Sequence, residues 1–168
     1  MNNSILEEKR IKKRFETLER NVLILIAIPI PFFAVVYLNS QNSTFSFDLP
    51  ELSTFWDSFG LGLVVSILFL QYFNFQTSIK RILRGNLDLE TKLALYSQAT
   101  MQRFWILFVS TFISALGLLF FDNPGFTMAF AVTLLFFSLG KPSPDRIVKS
   151  LKLKGEEKDK VLGMKRRG

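Results

Sequence analysis

Few residues of this chain carry side chains able to do chemistry, and their placement narrows what chemistry is open to them. The 168 residues include no histidine and no cysteine. That removes the commonest general base and metal ligand, all thiolate nucleophiles, and any dyad or triad built on either. At the central depth of the apolar stretches there is no charged residue, and the polar side chains that remain are the hydroxyls of Ser66, Ser110, Thr111, Ser114, Thr127 and Thr133, with the amides of Gln71 and Asn74 towards the end of the second stretch. With no base beside them, such hydroxyls serve as helix-seam contacts or as donors to a carbonyl one turn back. Gln71 is the polar group among them best suited to meet a solute. Asp48, Glu51 and Asp57 lie close in sequence and have the oxygen chemistry of a hard-cation site. Acidic residues are also the default content of an outer loop in a membrane protein, so no metal site is assigned to them. No glycine-rich phosphate cradle, nucleophile elbow or HExxH pattern occurs. The expectation is a protein that is not an enzyme and uses no cofactor.

The elements that position these residues are written in the hydropathy. Apolar residues make up 49% of the chain, and 19 phenylalanines stand against two tryptophans and three tyrosines. Most of the aromatic surface therefore has no polar handle and suits acyl chains. Four stretches are nearly free of charge, at about 22–38, 55–75, 104–121 and 126–140, each close to the roughly 20 residues that cross a bilayer core. The fold class expected is all-α: an integral membrane four-helix transmembrane bundle with short cytosolic amphipathic helices at both termini. Its organisation is an amphipathic lead-in at 1–20, a four-span domain at 21–141 and a basic tail at 142–168. Pro29 and Pro31 predict a kink in the first span. Residues 76–103 should be helical on either side of Gly85-Asn86. Asp122 to Gly125 form a tight turn, and Ser143-Pro144 reads as a cap and first helical position, opening a helix that runs to Leu153 and breaks at Gly155.

Charge fixes the expected orientation. Six basic residues precede the first span, five lie between the second and third, and ten follow the fourth, which together account for all 21 in the chain. The intervening loops hold only Asp48, Glu51, Asp57 and Asp122. This is the positive-inside pattern, and it places both ends in the cytosol. The chain from Lys141 onward, with ten basic and four acidic residues, should lie against anionic lipid headgroups through Arg146, Lys149, Lys152, Lys154, Lys165, Arg166 and Arg167, with Ile147, Val148 and Leu151 dipping into the interface. Nucleic acid is not an expected partner, because no aromatic residue interleaves with these charges.

In lipid, helices associate through close backbone approach and polar contacts rather than through the hydrophobic effect. Small residues recur at spacings of three or four on three helices: Gly62 and Ser66, then Ser110, Ser114 and Gly117, then Gly125, Ala129 and Thr133. These stripes are the expected packing seams, and the third and fourth spans should form a close antiparallel pair because so short a turn joins them.

Lys92-Leu93-Ala94-Leu95-Tyr96 leading through Arg103-Phe104 into the third span, and Lys141-Pro142-Ser143-Pro144 followed by Arg146-Ile147-Val148 and Leu151-Lys152-Leu153, resemble a group of small, uncharacterised membrane proteins found in Bacteroidota. The similarity covers the second half of the chain. Members of that group often carry a glutamate in the third span, where this chain has Ser110, Thr111 and Ser114. The resemblance implies a bacterial inner membrane and transfers no site. The function expected is that of a non-enzymatic structural or accessory component of a membrane assembly, as a homo-oligomer or within a larger complex. A small oligomeric transporter or channel for a neutral or apolar solute is the alternative.

Overall fold

The computed structural model describes the backbone of residues 2–42, 50 and 52–163, and the side chains of those from residue 9 onward. Among the described residues the chain is all α-helical, with no strand. Its helices are α1 (Asn2–Ala27), α2 (Pro29–Asn42), α3 (Thr54–Arg84), α4 (Leu89–Phe121), α5 (Pro124–Gly140), α6 (Pro144–Leu151) and α7 (Gly155–Gly163). Three segments are long and apolar enough to cross a membrane: Lys9–Asn42, Thr54–Arg84 and Leu89–Phe121. α5 and α6 make a fourth only when counted together across the break between them.

Local chemistry explains where these helices start and stop. The helical path through the first apolar stretch breaks at Ile28, ahead of Pro29, as expected where a proline ring meets the preceding turn. α3 ends at Arg84, and Gly85 and Asn86 fall in the gap before α4. Asp88 caps α4, its carboxylate accepting from the Thr91 N–H at 3.2 Å. Its hydrogen bonds with Thr91 hold that exposed carboxyl below the usual range, as expected of an acceptor placed on free helix N–H groups. Ser143 caps α6 from an extended conformation, accepting from the Arg146 N–H, with Pro144 as the first helical residue. α6 then stops at Leu151 rather than Leu153. Lys152 turns left-handed (φ 50°) and the Leu153 N–H reaches back to the Val148 carbonyl at 3.1 Å, a closure that satisfies carbonyls of the last turn. Gly155, expected to break this helix, instead begins a further one, α7.

The chain forms two compact units. The charged unit is drawn from Met1–Leu23, Phe73–Arg103 and Lys141–Gly168. Its core joins Ile11 of α1, Ile79 and Ile82 of α3, Leu89, Leu93 and Tyr96 of α4, and Ile147, Leu151, Leu153 and Val161 from the C-terminal region. Lead-in, connector and tail, separate in the sequence reading, thus bury their apolar stripes in one another. Lys92 donates to both oxygens of Glu157 at 3.1 and 3.3 Å, tying α4 to α7. The Arg103 guanidinium lies 5.0 Å from the Phe75 ring centre.

The apolar unit is drawn from Ile24–Tyr72 and Phe104–Gly140. Phe33 and Val36 of α2, Ala115 and Leu118 of α4, and Phe126 and Phe130 of α5 make one core cluster. The rings of Phe33 and Phe130 are nearly parallel, with centroids 3.7 Å apart. α4 and α5 run antiparallel within it, joined by the two residues between Phe121 and Pro124. Phe104 meets Phe137 at 5.4 Å near one end, and Phe121 meets Phe126 at 6.1 Å near the other.

Candidate functional site

The polar residues of the apolar unit gather on α4 and α5. Ser110, Thr111, Ser114 and Thr133 are buried, as is Gln71 on α3. The hydroxyls are spent inside the fold. Thr111 donates to the Phe108 carbonyl at 2.6 Å, Ser114 to the Ser110 carbonyl at 2.9 Å, and Thr133 to the Ala129 carbonyl at 2.8 Å. Ser110 and Thr133 face each other across the two helices at 3.4 Å. Hydroxyls bound to carbonyls of their own helix satisfy their donors without a substrate. The large side chains of Phe104, Leu107, Phe126, Phe137 and Val64 are likewise almost wholly buried.

Of the residues expected at seams, Ser110 and Thr133 meet across α4 and α5 and Gly117 lies beside Phe126, while Ser114 and Ala129 are buried. Gly117 is the tightest point: a Cβ there would lie 2.2 Å from the Phe126 ring. Gly125 is partly buried at the turn, where a Cβ would come within 3.0 Å of Leu61. Gly62 and Ser66 stand apart and need correction. Both are exposed, a Cβ on Gly62 would meet nothing within 4 Å, and Ser66 donates to the Gly62 carbonyl at 2.7 Å. The face of α3 that packs inward carries Val64, Leu68 and Gln71 instead. Gly60, which the spacing argument passed over, is the α3 glycine beside Phe126, at 3.2 Å from its ring for a built Cβ. No signal in the sequence separates Gly60 from Gly62, because the difference lies in where α5 puts one ring.

Asp57 has a structural partner. Asn123 donates through Nδ2 to both carboxylate oxygens of Asp57 at 3.0 and 2.9 Å, while its Oδ1 accepts from the Gly125 N–H at 2.8 Å. One side chain therefore caps α5 and holds the start of α3. Ser40 donates to Asp122 in the same unit. Asp48 and Glu51 lie outside the described residues, and among those described no group of three acidic side chains could hold a metal.

The tail departs from the sequence reading. Ile147 and Leu151 are each 3% exposed and sit in the core of the charged unit, so they are not available to dip into lipid. The physical reason is that α6 finds protein partners for its apolar stripe in Ile11, Ile79 and Leu93. Arg146, Lys149, Lys152 and Lys154 are exposed; Lys165, Arg166 and Arg167 lie outside the described residues. Comparison with protein-family models, with curated proteins and with solved structures gave no match.

Proposed function

We propose that this chain is a four-span bundle of the cytoplasmic membrane with both termini in the cytosol, acting as a non-enzymatic structural or accessory component that associates with itself or with a larger assembly. The observation that carries this reading is the commitment of the interior hydroxyls: Thr111, Ser114 and Thr133 all donate to carbonyls of their own helices, amid fully buried phenylalanines. A solute path needs polar groups with capacity to spare, so this arrangement weighs against the transporter alternative. Collection of all basic residues on one side of the four spans supports the orientation, and the resemblance noted in the second half of the chain supports a bacterial inner membrane. An accessory role is further supported by α3, whose most apolar window is only 17% buried against 44% for α4. Purification in mild detergent should yield a discrete oligomer or a stoichiometric complex; a strictly monomeric, partner-free preparation would overturn the reading. Orientation can be checked separately, since the chain has no cysteine of its own. Asn86→Cys and Lys154→Cys should both be protected from an impermeant maleimide in intact cells, and labelling of either from outside would reverse the topology.

A further inference from the structure

An open groove of about 770 Å³ lies within the charged unit, between the middle of α1 and the N-terminal part of α4. On α1 it is lined by Arg10, Lys13, Arg14, Thr17, Leu18 and Asn21, residues at helical spacing that form one face. On α4 it is lined by Glu90, Ala94, Ser97, Gln98 and Met101, again one face. Three cations thus meet one carboxylate. Arg14 reaches Glu90 only at 3.8 Å, with its side chain about half exposed, a contact of the kind that contributes little and yields readily. Among the described residues Arg10 and Lys13 meet no carboxylate.

Composition changes along the groove. On α1 the charged residues Arg10, Lys13 and Arg14 come first and the uncharged Thr17, Leu18 and Asn21 follow, and on α4 Glu90 is followed only by uncharged residues as far as Met101. Along both helices that uncharged end is the one closer in sequence to the long apolar runs that begin at Val22 and Phe104. A ligand with an anionic head and a less polar body would lie in it in one direction only. Arginine forks bind phosphate oxygens in pairs, and a cavity of this size suits a small organic molecule.

We propose that this groove binds a phosphate ester, with Arg10, Lys13 and Arg14 holding the phosphate and Leu18 and Met101 covering the less polar part of the molecule. Two sources can supply that chemistry, the headgroup of an anionic phospholipid or a soluble phosphorylated metabolite. The lipid source rests on the membrane orientation proposed above; the soluble source does not.

The test uses the full chain in phosphatidylcholine nanodiscs. In one arm sn-glycerol 3-phosphate is titrated by calorimetry. In the other, phosphatidylglycerol is included in the discs and its retention is read by native mass spectrometry. Binding in the first arm assigns a soluble ester, binding in the second a lipid headgroup, and binding in both the shared chemistry; binding in neither overturns the proposal. Arg10 and Lys13 are exposed, so R10Q/K13Q should fold normally, and it should weaken binding about tenfold or more for the loss of two charge-assisted contacts. K80Q, an exposed cation outside the groove, is the control, and an equal loss there would reduce the effect to general charge and overturn the site. E90Q, which removes the groove's one carboxylate and frees Arg14, should tighten binding; unchanged or weaker binding would overturn the placement. External labelling of Asn86→Cys alongside intact glycerol 3-phosphate binding would sink the orientation and leave the groove standing.

Discussion

The small-residue stripe on α4 and the one on α3 use the same residue types at the same spacing, yet they end in opposite environments. On α4, Ser110, Ser114 and Gly117 are all buried, Ser110 facing Thr133 of α5 and Gly117 leaving no room for a methyl group beside Phe126. On α3, Gly62 and Ser66 face outward with open space beside the glycine. Spacing alone says that a face is smooth. Whether that face is a seam depends on a neighbour with a bulky group to fill the hollow, and α5 supplies one because a two-residue turn folds it directly onto α4. Among the described residues the α3 stripe has no such neighbour beside Gly62, and Phe59, Leu63 and Phe69 of the same helix are also exposed.

Substitution can break this contrast at three points. The largest effect is expected for Gly117→Leu, where the first added carbon already overlaps the Phe126 ring. A loss of about 3 kcal/mol, or roughly 6 to 12 °C in thermal midpoint for a chain of this size, should appear in tryptophan fluorescence melts in detergent. An intermediate loss of about 2 kcal/mol is expected for Ser114→Leu or Ala129→Leu, which enlarge side chains that are already buried. A leucine variant that melts unchanged would argue against the seam. Gly62→Leu should be the mildest, within about 0.5 kcal/mol of the parent, because the new side chain enters open space and a mid-helix glycine is replaced by a better helix former. If Gly62→Leu leaves the monomer's melt intact but dissolves an oligomer, the contrast sharpens: the α3 stripe is then a seam between copies rather than within one.

A second contrast runs between the apolar and the charged unit. In the apolar unit the helices were legible from hydropathy, and so was the pairing of α4 with α5, because Asp122-Asn123-Pro124-Gly125 leaves the chain no other course. The charged unit was not legible as a unit. Its core residues Ile11, Ile82, Leu93 and Val161 come from four helices, of which only α3 and α4 are neighbours in the chain, and the α1, α6 and α7 segments alone read as solvated or interfacial amphipathic segments. Nothing in the α6 sequence distinguishes an apolar stripe meant for lipid from one meant for Ile79. The partner of Asp57 was hidden in the same way, since Asn123 is 66 residues distant and its turn-forming role masks the second use of its amide.

What the sequence by itself determined is local and one-dimensional: which runs are helical, which are apolar enough to cross a bilayer, and where Ser143, Pro144, Pro29 and Gly85 interrupt them. These follow from backbone hydrogen bonding, ring closure and transfer energies, which depend on neighbours a few residues away. The tertiary structure alone decided which small stripe is buried, which hydroxyls retain no free donor, and that lead-in, connector and tail complete one another. Those outcomes depend on the shape of side chains brought together across the fold, such as one phenylalanine ring lying against Gly117 and Gly60, and no spacing along a single helix encodes that meeting.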